Sequence, residues 1–151
     1  MIAVIQRVRS ARVIADGALS GSCERGLYIL LGVEKDDTEA DSTALSEKIS
    51  KLRIFTDEND KMNLSVKDIG GEVLVVSNFT LNANYAHGNR PDYLNSAPPV
   101  IAEKLYLHFL DEMKKKVAKC EAGVFGADMQ TEMITDGPVT IVMNSAILLK
   151  K

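Results

Sequence analysis

"ITDGPVTIV", residues 134–142, is the stretch on which the reading of this chain turns. Ile134, Val139, Ile141 and Val142 are strand formers, yet Gly137 and Pro138 stand among them. Proline has no N–H to give to a sheet ladder and belongs at edges, bulges or strand starts. Two readings are open from the residues alone. The breaker is either a β-turn carrying Gly-Pro, or a point where a strand leaves its ladder to present its backbone.

Outward from that stretch, "CEAGVFGADMQTEMITDGPVTIVMNSAILLKK", residues 120–151, reads as short β-segments punctuated by Gly and Asp. At the other end, "MIAVIQRVRSARVIADGALSG" partly alternates apolar with polar residues, and Asp16 with Gly17 supplies a hairpin turn signal. "GLYILLGV", residues 26–33, is an apolar run of strand length, expected to be buried on both faces. "DDTEADSTALSEKISKL" follows, with Thr38 and acidic residues at its start and Leu45, Ile49 and Leu52 on one helical face. "RIF", residues 53–55, reads as a short strand ending in the turn "TDEND", and "EVLVVSNFTL", residues 72–81, as the strongest strand.

"NANYAHGNRPDYLNSAPP", residues 82–99, is rich in Asn, Gly and Pro and reads as a loop, long enough to suggest function. A helix is expected from residue 100, with Ile101, Leu105, Phe109, Met113 and Val117 forming its core stripe. Strands and two main helices in this order predict one α+β domain over residues 1–151 with mostly antiparallel pairing.

Composition narrows the setting. Of the 151 residues, 46% are apolar and 26% charged, an ordinary globular balance. No run of about 18 apolar residues suggests a membrane span. Arg7, Arg9 and Arg12 interrupt the apolar core that a signal peptide needs, and two unpaired cysteines, Cys23 and Cys120, suit a reducing compartment. A cytoplasmic location is the expectation. The net charge of −3 gives no global footprint for nucleic acid, and the run Lys114 to Lys116 reads as the solvated end of a helix.

Common catalytic signatures are missing: no GxxxxGK[ST] loop, GxSxG elbow, HExxH motif or CxxC pair occurs. His87 in the long loop and His108 in the second helix are read as solvated and structural. No metal and no cofactor is expected. Two polar interruptions of apolar strands remain. One is Ser77, Asn78 and Thr80 in "SNFTL", whose plain reading is a strand end with an edge hydroxyl; the other is "TDGPVT", residues 135–140.

These two stretches, with "GNRPDY" at 88–93 and "GVFGADM" at 123–129, closely resemble the D-aminoacyl-tRNA deacylases. That family carries an S-Q-F-T-L segment and an N-x-G-P-V-T segment, and "IQRV" at 5–8, "LRIF" at 52–55 and "KMNLSVKDIGGEVLVVS" at 61–77 support the resemblance. The resemblance implies a homodimer with a barrel-like core of β-sheets. It also implies hydrolysis of the ester between a D-amino acid and the terminal adenosine of tRNA, sparing L-aminoacyl-tRNA and extending to glycyl-tRNA. Gly137 and Pro138, joined by a cis bond, would project into the partner's site and select by backbone, which suits an enzyme that must accept many side chains.

Further roles are implied by the same resemblance. Thr80, Ser77 and Asn78 are the catalytic candidates, with Thr80 either a nucleophile or a positioning group beside substrate-assisted hydrolysis involving the adenosine 2′-hydroxyl. Phe79 and Leu81 would line the pocket; Phe125, Gly126 and Met129 would hold the terminal adenine; Arg7 would brace the Gly-Pro segment across the dimer.

The chain departs from the family pattern at Asn78, where Gln is usual, shortening the amide arm by roughly one C–C bond, ~1.5 Å. It departs again at Thr135, where Asn is usual and where a related branch that edits small L-residues carries Thr. His87 stands in place of a common Lys. The other readings are editing of small L-aminoacyl-tRNA, and a non-catalytic RNA-end or nucleotide-binding module.

Overall fold

The computed structural model describes residues 1–150; Lys151, the last residue of the expected domain, lies outside them. β1 (Ile2–Ala15) is the strand on which the main sheet is hung. On one side its N-terminal half pairs with β3 (Gly26–Gly32) and its C-terminal half with β2 (Ala18–Cys23). Asp16 and Gly17 make the β1–β2 turn, both with positive φ, as a two-residue hairpin turn requires. On its other side β1 pairs along almost its whole length with β8 (Met129–Asn144).

All of these pairings are antiparallel. β3 then pairs in parallel with β6 (Glu72–Ser77), and β6 in parallel with β7 (Lys119–Ala122), so the expected antiparallel sheet has a parallel wing. At Gly26 the parallel partner is so close that a Cβ would sit 1.8 Å from the Glu72 carbonyl oxygen, and no other residue fits there.

The sheet curls until β2 and β7 face each other. Ser20 Oγ donates to the Ala122 carbonyl at 2.9 Å, and the Ser22 N–H donates to the Glu121 carboxylate at 2.7 Å. These bonds make a nearly closed barrel-like wall. Alternation on β3 then explains its unbroken apolar run. Leu27, Ile29 and Leu31 face the helices, while Tyr28 packs inside the curl with Val8, Val13, Leu74 and Val76.

Two main helices cover the outer face. α1 (Glu39–Ser50) opens with a capping box in which the Asp41 carboxylate accepts from the Thr38 N–H and hydroxyl. α2 (Pro99–Lys114) begins with Pro99 in the first turn, where a missing N–H costs nothing. Leu45 and Ile49 of α1 meet Leu105, Phe109 and Met113 of α2 over the sheet, each fully or almost fully buried and each worth roughly 2 kcal/mol.

Four expectations need correction. Ile101 is 46% exposed and stands off the α2 core stripe, because the helix starts at the rim of a cavity. The short strand is β4 (Phe55–Thr56), paired with β5 (Met62–Leu64), rather than residues 53–55. The strand expected over 72–81 stops at Ser77 and turns into a 3₁₀ turn, Phe79–Asn82. The C-terminal region holds the short β7, then one 16-residue strand, β8, and a short helix α3 (Ser145–Leu149), in place of several short segments.

The Gly-Pro question has a structural answer inside β8. Gln6 pairs with Thr140 and Val8 with Thr135, so residues 136–139 bulge outward against Arg7 alone. Gly137-Pro138 is a cis peptide at the crest, with both residues exposed. The strand therefore leaves its ladder for four residues and rejoins it.

Candidate active site

β3 and β6 run parallel and end side by side, and the Asn78 N–H donates to the Leu31 carbonyl at 2.8 Å as the chain leaves β6. Asn78 then caps the 3₁₀ turn: its Oδ1 accepts from the Thr80 N–H at 3.2 Å and lies 2.5 Å from the Thr80 hydroxyl. A polar residue suits this position because an apolar one would leave the Thr80 N–H, in the first turn, without this partner. Below the turn, the buried Asn82 donates to the Val33 carbonyl at 2.7 Å and to Ser96 Oγ at 3.3 Å. Ser96 in turn donates to the Phe79 carbonyl at 3.3 Å, tying the long loop to the turn.

A cavity of about 710 Å³ opens beyond these strand ends, within the usual range for small-ligand sites. Ser77, Asn78 and Phe79 form one wall, and Phe125, Gly126 and Met129 another. Four aromatic rings, those of Phe79, Tyr93, Tyr106 and Phe125, line it. Phe79 and Tyr93 meet edge to face at 5.0 Å between centroids, and Tyr106 and Phe125 lie 5.8 Å apart. Phe79 is 59% exposed, leaving ring surface free for a planar ligand. The Tyr106 hydroxyl is turned away and donates to the Val75 carbonyl, and burial pushes its pKa up.

No carboxylate, imidazole, ammonium or thiol is among the residues lining this cavity. Both thiols sit elsewhere, and burial pushes Cys23 up to about 11 and Cys120 up to about 12, so neither is a nucleophile at neutral pH. His108 lies on α2 with its Nδ1 buried. Among the described residues no group of three or more His, Cys, Asp or Glu side chains could hold a metal.

The remaining candidates are placed apart from the cavity wall. Thr80 is exposed beside it, bonded to Asn78, and Leu81 is half-buried in the same turn. Gly137 and Pro138 do not line the cavity of their own chain. Arg7 is buried and acts within its own chain: its Nε donates to the Asp136 carbonyl at 2.9 Å and its Nη1 to the Ile54 carbonyl at 2.6 Å. The β1–β8 pairing itself brings the bulge to Arg7 of the same chain. The Asp136 carboxylate is flanked by Arg7 at 3.3 Å and Arg9 at 3.9 Å.

Tyr93, Ser96 and Tyr106 were missed by the sequence reading. Tyr93 and Ser96 lie in an aperiodic loop, and Tyr106 was hidden in a helix read only for its core stripe. The pair "DY" within "GNRPDY" was the one available signal for Tyr93.

A largely apolar, aromatic-walled cavity with a few oriented polar groups, at the ends of parallel strands, defines a site for a small planar ligand or the end of a larger one. The profile of the D-Tyr-tRNA(Tyr) deacylase family matches residues 4–144, and the chain belongs to that family. It is 53% identical over 145 residues to the D-aminoacyl-tRNA deacylase of Thermosipho africanus, covering 96% of this chain and 97% of that protein. The D-aminoacyl-tRNA deacylase of Caldicellulosiruptor bescii is 50% identical with the same coverage.

A solved structure described as the c-Myc DNA unwinding element binding protein is similar with a TM-score of 0.90 at 39% identity, covering 95% of this chain and 98% of that one. Another, described as a probable eukaryotic D-amino acid tRNA deacylase, shares the fold with a TM-score of 0.82 at 12% identity, covering 94% and 97%.

Proposed function

We propose that this chain is a D-aminoacyl-tRNA deacylase, an ester hydrolase that releases D-amino acids from the 3′-terminal adenosine of tRNA and spares L-aminoacyl-tRNA. The observation that carries the reading is 53% identity to a D-aminoacyl-tRNA deacylase over 96% of the chain. The cavity supports it. Phe79, Phe125, Gly126 and Met129 offer ring and backbone surface for the terminal adenine, and Ser77 and Asn78 offer polar atoms at its edge. Residues 1–151 act as one deacylase domain, in the cytoplasm, without a metal or cofactor. No helix among the described residues is long and apolar enough to cross a membrane.

The second half of the site comes from a second copy of the chain. Gly137 and Pro138 are exposed on the bulge and do not line their own cavity, so in a homodimer they would cap the partner's. The β8 face that would meet the partner carries Ile134 and Val142, 61% and 69% exposed, apolar surface that water disfavours. Leu81 steadies the turn beneath Phe79, and Arg7 sets the bulge. Backbone groups at the crest would receive the α-amino group and leave no room for a side chain of the L hand, whatever that side chain is. Glycyl-tRNA, which has none, passes the same filter.

An ester is already activated, so hydrolysis needs positioning and stabilisation of the developing oxyanion more than a strong nucleophile. Water adds to the ester carbonyl, the bond to the ribose oxygen breaks, and the proton lost by water ends on that leaving oxygen. With no protein base on the cavity wall, the neighbouring 2′-hydroxyl of the substrate is the group placed to relay the proton.

Deacylation of D-Tyr-tRNA, L-Tyr-tRNA and glycyl-tRNA by the purified protein tests the reading. The D-ester and the glycyl ester are expected to be lost while the L-ester persists at its spontaneous rate. Survival of the D-ester sinks the proposal. For the dimer, light scattering is expected to give twice the chain mass, and Val142→Glu to give monomers that no longer deacylate. A fully active monomer would refute the shared site.

A further inference from the structure

We propose that Asn78 is a positioning residue that commits the Thr80 hydroxyl to accept a hydrogen bond from the substrate rather than donate one. The inference rests on the deacylase reading of this site and deepens it. Its starting point is the cap of the 3₁₀ turn. The Asn78 side-chain atom facing the Thr80 N–H must be the oxygen, because an N–H can only donate, and this settles which way the amide points. The Thr80 hydroxyl lies 2.5 Å from that same oxygen. An amide oxygen carries no proton, so the hydroxyl is the donor in this contact.

A hydroxyl has one proton and two lone pairs. With its proton held by Asn78, Thr80 Oγ presents only lone pairs to a docked ligand. The group it meets must therefore be a donor, either the α-ammonium of the aminoacyl moiety or a ribose hydroxyl of the terminal nucleoside. The same contact argues against attack by Thr80 on the ester. Its proton would have to pass to a neutral amide oxygen, which is not a base.

The contact depends on the short arm of asparagine. Asn closes a hydrogen-bonded ring onto the residue two positions on, a local motif that Asn and Asp form readily. Gln would carry its carbonyl farther by roughly one C–C bond, ~1.5 Å, and lose that fit. The position where this chain departs from the usual family residue is thus the position that holds the Thr80 proton.

The test compares single-turnover deacylation of D-Tyr-tRNA by the unaltered protein with that of Thr80→Val, Thr80→Ser, Asn78→Leu, Asn78→Asp and the Asn78→Leu/Thr80→Val pair. Thr80→Val is expected to lose ~10- to ~100-fold in kcat/KM, the span of a hydrogen bond to a charged or neutral donor, and Thr80→Ser to recover most of it. Asn78→Leu, which frees the Thr80 proton, is expected to show part of the Thr80→Val loss, and Asn78→Asp, which keeps an acceptor for both Thr80 bonds, to recover most of that part at neutral pH, with an acid limb near its carboxyl pKa of ~4. The double variant is expected to be no worse than Thr80→Val alone, because Asn78 acts through the Thr80 hydroxyl.

Two further substrates separate the sources of the donor. N-acetyl-D-Tyr-tRNA lacks the ammonium, and tRNA ending in 2′-deoxyadenosine lacks one ribose hydroxyl. Read as Kd, so that loss of the 2′-hydroxyl relay does not mask it, the Thr80→Val penalty is expected to vanish on whichever substrate lacks the partner. A parental rate in Thr80→Val, or an acyl group trapped on Thr80 and seen by mass, overturns this proposal alone. Inactivity of the unaltered protein overturns the deacylase reading beneath it.

Discussion

Gly137→Ala is expected to reduce kcat/KM for D-aminoacyl-tRNA by ~100-fold or more, the cost of misplacing a reacting group by about an ångström. Gly137 has φ +149, a conformation that L side chains rarely adopt, and an added Cβ would lie 2.4 Å from the Val139 N. That contact is with backbone and cannot be relieved by turning a side chain. The bulge must change shape, and with it the crest that caps the partner's cavity. Because the crest is exposed and makes few packing contacts, stability should suffer less than activity. A local backbone penalty of about 1–3 kcal/mol lowers the melting temperature by roughly 2–10 °C in a chain of this size. Parallel thermal melts and single-turnover assays check both numbers. Parental activity with an unchanged melt would remove the bulge from the mechanism.

Arg7→Ala is the second large effect, and here stability and activity are expected to fall together. The buried guanidinium closes the Asp136 and Ile54 carbonyls and faces the Asp136 carboxylate. Removing it strands a buried acceptor and leaves Asp136 with Arg9 alone, at 3.9 Å. The loss should be about 2–4 kcal/mol, read as a melting temperature lower by roughly 5–15 °C. Deacylation should drop at least ~10-fold, since the bulge loses the tie that fixes its height above the sheet. Arg7→Lys should recover only part of either effect, because one ammonium cannot reproduce the fork that reaches two carbonyls. If Arg7→Ala melts with the parent, the guanidinium is not holding the bulge.

Much of the fold was legible because burial leaves a period. The unbroken apolar run at 26–33 marked a strand buried on two faces, and the spacing of Leu45, Ile49, Leu105, Phe109 and Met113 marked the faces of the two main helices. Positions set by polar geometry were harder to see. Asn78 looks like an interruption in a strand, yet it ends that strand by capping the next turn. Gly137 and Pro138 look like punctuation, yet β8 continues past them because Arg7 supports the excursion from the opposite strand.

The cavity was legible only in part. "SNFTL" and "GVFGADM" stood out through the family resemblance, while Tyr93 and Ser96 lie in a loop whose shape depends on distant bonds such as Asn82 to Val33. Short α3 was invisible because five residues are too few to show a period.

β1 pairs with β8, a strand more than a hundred residues later, and this order has a consequence during synthesis. While the ribosome is still making the middle of the chain, β2 and β3 can already cover one edge of β1, but the edge meant for β8 stays open. An open edge with apolar neighbours invites pairing with another nascent chain, and charge along the edge is the common deterrent. Arg7, Arg9 and Arg12 lie along that edge. When β8 arrives it brings Glu132 and Asp136, which Arg12 meets at 2.6 Å and Arg7 at 3.3 Å. Residues that repel strangers on the growing chain become, once the last strand is made, the grip that receives it.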